Sequence, residues 1–174
     1  MALAGSPNRQ TIFLLGLGAA LFGFDRWTKQ AVAESIPLYS VHEVIPGFFD
    51  LVHTRNTGIA FSMLNDASPM VREWLLPIFS GVAVLAIFVL FWRQSQGAAR
   101  LRWALALILS GAVGNLYDRL MYGYVVDFLD FYVGSWHWPA FNVADCCITV
   151  GAGLLLLDSL ARPSETDQRQ PETA

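Results

Sequence analysis

Residues 74–92 read WLLPIFSGVAVLAIFVLFW and contain no charged side chain. A helix needs about 20 predominantly apolar residues to cross a bilayer. This run has that length and is too long for an ordinary strand, so it sets the fold class as integral membrane and mostly α. Three further segments follow the same reading. Thr11 to Phe24 is uncharged and continues through DRWTKQAVA to about Ala33. A third runs from about Trp103 to Tyr117 and then meets Asp118 and Arg119. A fourth runs from about Ala140 to Leu157 and contains Asp145. The expectation is therefore four transmembrane helices.

Composition agrees. The chain has 174 residues, 55% hydrophobic and only 14% charged, with a mean hydropathy of +0.45. A soluble domain carries about 25% charged residues, and so few charges do not cover a water-facing surface. Disorder across the chain is excluded by the same figures. The net charge of -3 and the absence of a Lys/Arg run give nucleic acid nothing to bind. Cys146 and Cys147 are neighbours. Adjacent Cα atoms sit about 3.8 Å apart, below the roughly 4.4 Å minimum usual for a disulfide. His42, His53 and His137 are scattered, with no Cys/His cluster, so no metal or cofactor is expected.

Orientation follows the Lys/Arg bias of short loops. Arg93, Arg100 and Arg102 lie between spans two and three, and Arg9 and Arg162 flank spans one and four. These regions are placed in the cytoplasm with both termini. Residues 1–160 read as a single domain and 161–174 as a disordered cytoplasmic tail. Ala31-Val32-Ala33 resembles a signal-peptide cleavage site, but Asp25, Arg26 and Lys29 stand where a signal peptide is neutral. On the outer side, about 34–72 reads as a small β-rich cap. LYSVHEVI and FFDLVHT flank a Pro46-Gly47 turn signal, and NTGIAFSML supplies a third short strand. The connection at about 120–139 reads as an aromatic interfacial loop.

Ionisable residues at membrane depth are costly and point to function. Asp25, Lys29, Asn115, Asp118, Arg119, Asp127, Asn142 and Asp145 all fall toward the outer helix ends. Asp25 and Lys29 are four apart on one helix face, the spacing of a salt bridge. Asp118 is the natural partner of Arg119 or Arg26. Asp127 and Asp145, brought together, would share one proton and supply both an acid and a base. Asp130 competes with Asp127 for that role. The same carboxylates suit a proton relay, so a four-span proton-coupled transporter is the alternative. Serine chemistry has no GxSxG to rest on.

Taken together, DRWTK (25–29), RNTGIAFSML (55–64), GAVGNLYDRLMYGYVVDF (111–128) and FNVADCCITVG (141–151) resemble the lipoprotein signal peptidases, also called signal peptidase II. The match covers about residues 11 to 160. The resemblance implies an aspartic endopeptidase of the bacterial cytoplasmic membrane. Its substrate would be a prolipoprotein carrying diacylglyceryl on its Cys, cut before that Cys. It implies four spans with a periplasmic β-cradle, no metal, and inhibition by globomycin; a single chain of four spans is expected to act alone. The catalytic pair maps to Asp127 and Asp145. Asn56, Gly58, Asn115, Arg119 and Asn142 map to substrate-binding or supporting positions. Asp25 and Lys29 map to a charged pair in the first span, read as structural or positioning, and Asp118 reads as structural on its own account. Arg26 stands where the family commonly has Gln, which suggests a pairing with Asp25 or a lipid phosphate. Cys146 and Cys147 replace small residues and read as packing.

Overall fold

A computed structural model describes residues 8–58, 68, 70–94 and 99–161. Helix α1 spans Arg9–Ser35, α2 Leu76–Arg93, α3 Ala99–Tyr122 and α4 Val143–Ala161. A π-helical turn, Val71–Leu75, leads into α2. Strands β1 (Val41–Ile45), β2 (Phe49–Asn56), β3 (Val125–Val133) and β4 (Trp136–His137) form one antiparallel order, β1-β2-β3-β4.

Glu73–Arg93 and Val143–Ala161 are long and apolar enough to cross a membrane. Around α2 the apolar residues face outward on several sides, with Phe79, Val82, Leu85 and Leu90 all exposed. A helix apolar all round and yet uncovered by protein suits a lipid environment. Helices α1 and α3 are longer, 27 and 24 residues, but their apolar faces are interrupted by charges that point inward. Buried on α1 are Asp25 and Lys29; on α3, Arg102, Asn115 and Asp118.

Small residues set the packing of α3 on α4. A Cβ added at Gly111 would run into the carbonyl oxygen of Ala144, and one at Gly151 would lie 2.7 Å from that of Ala104. The backbones therefore approach as closely as glycine permits. At Gly114 the space is taken by the Asp25 carboxylate, 3.1 Å from where a Cβ would be. Helices α2 and α4 each pack on α3 and scarcely meet one another.

The cap differs from the expectation in an instructive way. The hairpin is present: Pro46 and Gly47 occupy the turn, Phe48 N donates to Ile45 O at 3.0 Å, and Gly47 has φ +77. Those are the positions a type II turn assigns to Pro and Gly. The connection 120–139 is not a separate loop. Its VVDFLDFYV segment is the longest strand of the sheet, because α3 continues to Tyr122 and β3 then pairs with β2 along Phe49↔Phe131 to Asn56↔Val125. The fourth helix starts at Val143, later than Ala140, because Phe141 is held by β3 instead. Phe128 N and Leu129 N donate to Phe141 O, and Phe141 N donates to Leu129 O. Of NTGIAFSML, residues 59–64 lie outside the described residues, as do 162–174 of the tail.

Gly111→Ala and Gly151→Ala are each expected to destabilise the fold by about 1–3 kcal/mol, the usual cost of overpacking. Gly16→Ala, with nothing within 4 Å of the new Cβ, should not. Thermal unfolding of the three variants in detergent compares them directly.

Candidate active site

The site grows from the N-terminus of α4. Asn142 is the residue before the helix, fully buried at 0% exposure. Its Oδ1 accepts from Asp145 N at 3.0 Å, while its own N–H donates to Asp145 Oδ2 at 3.2 Å. This is a reciprocal capping box, with Asp in the place usually held by Glu or Gln. The cap leaves the Asn142 amide nitrogen free to donate to Asp127 Oδ1 at 2.7 Å. One asparagine thus ends a helix and joins two carboxylates. Because Phe141, the preceding residue, is hydrogen-bonded into β3, Asn142 and Asp127 have little freedom to part.

Each carboxylate has a further amide. Asn56, at the end of β2, donates to Asp127 Oδ2 at 3.0 Å, and Asn115 on α3 donates to Asp145 Oδ1 at 2.8 Å. Gly58 N donates back to Asn56 Oδ1 at 2.9 Å, which orients that amide. Arg119 donates to Gly58 O at 2.9 Å and to Asn115 O at 3.3 Å. It therefore ties the β2 exit to α3, and its partner is not Asp118.

Behind the pair lies a buried ionic cluster. Lys29, 1% exposed, donates to Asn115 Oδ1 at 2.9 Å and lies 2.8 Å from Oδ2 of both Asp25 and Asp118. The two carboxylate contacts are ionic more than aligned hydrogen bonds. Asp25 Oδ1 also accepts from Ala144 N at 2.8 Å, placing its charge at the α4 N-terminus, where the helix dipole favours it. Arg26 pairs with Asp118 and sits 5.2 Å from the ring centres of both Tyr117 and Tyr122. Of the partners expected for Arg26, the Asp118 carboxylate is the one it takes, in place of Asp25. The i,i+4 pairing of Asp25 and Lys29 holds, within a wider network.

Asp130 does not compete with Asp127. Alternation along β3 turns it to the opposite face of the sheet, where its Oδ2 lies 2.9 Å from His137 Nδ1. Burial pushes the Asp127 carboxyl up from the ordinary 3.8 to about 6, and the charge of Asp145 adds to the rise; the amides of Asn56 and Asn142 and the charge of Lys29 oppose it. A cavity of about 610 Å³ opens over the pair, walled by Ser80 and Ala83 of α2, Ala112 of α3, Ile148 and Thr149 of α4, and Trp138 to Phe141. Cys146 lines it too, whereas Cys147 is buried. Reading both thiols as packing misses this split, although their offset of about 100° on the helix implies it. The capping box was likewise written in FNVAD, as N-x-x-D before an apolar run.

A paired-aspartate cleft in a protein with lipid-compatible helices defines a membrane aspartic peptidase. The family model described as Signal peptidase (SPase) II matches residues 17–161, and the chain belongs to that family. It is 45% identical over 148 residues to a lipoprotein signal peptidase of Solibacter usitatus, covering 85% of this chain and 90% of the relative. It is 46% identical over 151 residues to that of Nitratidesulfovibrio vulgaris, covering 87% and 91%. Its fold is similar to a bacterial membrane enzyme solved by the in meso method, with TM-score 0.73, 27% identity and 93% of each chain covered. The transporter alternative finds no support among these relatives.

Two outcomes follow from the geometry. Lys29→Met strands two buried carboxylates and should cost about 3–5 kcal/mol, the scale for breaking a buried pair, while Arg26→Gln, nearer the surface, costs less. Asp145→Asn removes a charge that raises the Asp127 pKa, so the Asp127 titration should fall below about 6. Infrared carboxyl bands followed against pH would show it; an unchanged value means the two groups do not interact.

Proposed function

We propose that Asp127 and Asp145 are the catalytic pair with which this peptidase removes signal peptides from prolipoproteins, cutting before a diacylglyceryl-modified Cys. The observation that carries the reading is the Asn142 bridge, which holds two carboxylates from different elements at one cavity. The pair shares a single proton and titrates as a unit. The ionised member takes a proton from water, and the water oxygen attacks the carbonyl carbon preceding the lipidated Cys. The protonated member donates to that carbonyl oxygen. As the tetrahedral intermediate collapses, the C–N bond breaks and a carboxyl proton passes to the leaving amine. Asn56, Asn115 and Asn142 hold the carboxylates in register through these steps. Gly58 and Arg119 fix the β2 exit beside the scissile bond. Asp25, Lys29 and Asp118 keep α1, α3 and α4 locked behind it.

The wider setting belongs to the same proposal. All four helices span the bacterial inner membrane, and α1 and α3 cross with their charges turned to the interior. Residues 1–160 act as one domain, with the cap and the carboxylates at the periplasmic face, both termini cytoplasmic, and 161–174 as a cytoplasmic tail. The diacylglyceryl chains remain in the membrane lipid. One chain suffices, since every group of the site comes from it, and globomycin occupies the same cavity.

Asp127→Asn and Asp145→Asn should each abolish cleavage of a diacylated prolipoprotein in detergent while leaving the thermal transition in place. Processing by either variant at a rate near that of the unmodified enzyme would overturn the assignment.

A further inference from the structure

The end of the bundle remote from the carboxylates holds a cation that the peptidase site does not use. Arg102, in the first turn of α3, is 3% exposed. Its Nη1 donates to Gln10 Oε1 at 3.1 Å and its Nη2 to Thr11 Oγ1. Its guanidinium lies 5.6 Å from the centre of the Phe91 ring. Its Nε is buried without an acceptor, and no carboxylate pairs with it among the described residues. An arginine cannot shed its charge, and a buried charge is costly unless paired. The surroundings add charge of the same sign. Arg9, Arg93 and Arg100 are exposed at this end, and α1 and α3 both begin here, with their positive dipole ends. Among the described residues the acid at this end is Asp158, in the last turn of α4, and it has an interaction of its own.

An apolar groove of about 270 Å³ starts beside this cation. Leu14 lies one turn along from Thr11, Ala106 one turn along from Arg102, and Phe91 carries the guanidinium on its ring; all three line the groove. From there it follows α1 and α3 to Phe22 and Val113, a length of roughly 12 Å at the helical rise per residue. Ser110, within it, spends its hydroxyl on Gly18 O. The groove offers water almost nothing, and an unpaired cation stands at one end. Its complement is an acyl chain ending in an anionic head, the chemistry that basic pockets between membrane helices recognise.

We propose that this groove is a binding site for one anionic phospholipid, its acyl chain along α1 and α3 and its phosphate accepting from Arg102 as the Gln10 amide gives way. Arg102 and Asn115 are thirteen residues apart on one helix, roughly 20 Å at the same rise, so the site is separate from the peptidase cavity.

Native mass spectrometry of the full chain from mixed micelles tests this without reference to catalysis. The expected result is a one-to-one complex with phosphatidylglycerol, held about tenfold more strongly than phosphatidylcholine, with the preference lost in Arg102→Gln. Ala19→Phe fills the groove and leaves the cation, and it should reduce retention of both lipids. Sodium phosphate alone should not raise the melting temperature. Equal retention by the unmodified chain and Arg102→Gln, protection by phosphate alone, or a dimer in place of the lipid complex overturns the assignment. Should Arg102→Gln fail to fold, undiminished lipid retention by Ala19→Phe does the same.

Discussion

The ammonium group of Lys29 is the constraint around which the site is built. It is buried, charged, and surrounded by Asp25, Asp118 and Asn115. Removing an ion from water costs several kcal/mol, which only well-placed partners recover. The three partners come from α1 and α3, so satisfying one charge sets the axial register of those helices. Asp25 passes the constraint on through Ala144 N, fixing the start of α4. Asn115 passes it on through its amide nitrogen, fixing Asp145. Lys29 touches neither proposed catalytic residue directly, yet Asp145 sits where it does because Asn115 is already committed on its other side.

Asp127 is positioned by different physics. It lies on a strand whose register is set by backbone pairing with β2 and by the contact of Phe131 with Phe48 and Phe49. A helix-borne and a strand-borne carboxylate would drift apart if their elements moved independently. Phe141 prevents that by belonging to the sheet while its neighbour Asn142 caps the helix. The sheet is therefore more than a cover over the bundle. It carries Asp127, and its hold on the α4 N-terminus keeps that carboxylate beside Asp145.

Much of this was legible in the sequence, for stated reasons. An uncharged run of bilayer length marked α2 directly, and a shorter one marked the first half of α1. The polar residues stood out because a chain so poor in charge keeps few without cause. What stayed hidden was non-local. VVDFLDFYV is apolar and aromatic on both faces, so no alternation distinguished a strand buried under neighbours from an interfacial loop. The choice between Arg26 and Arg119 as the partner of Asp118 depended on α1 and α3 lying side by side, which spacing along one helix cannot reveal. The extent of α3 beyond Tyr117 was concealed because Asp118 and Arg119 look like a membrane exit, whereas Asp118 is neutralised from α1 and the helix runs on.

Helices α2 and α4 both lean on α3 while standing apart from each other, and the cavity occupies the interval between them. An arrangement of this kind leaves an opening of about 610 Å³ bounded by three helices and the sheet. The apolar core of a signal sequence, about 7–15 residues long, would occupy part of that opening for as long as it remains. Recognition would then rest on bulk and hydrophobicity along a whole segment, with a fine requirement only where the chain unwinds beside Asp127 and Asp145.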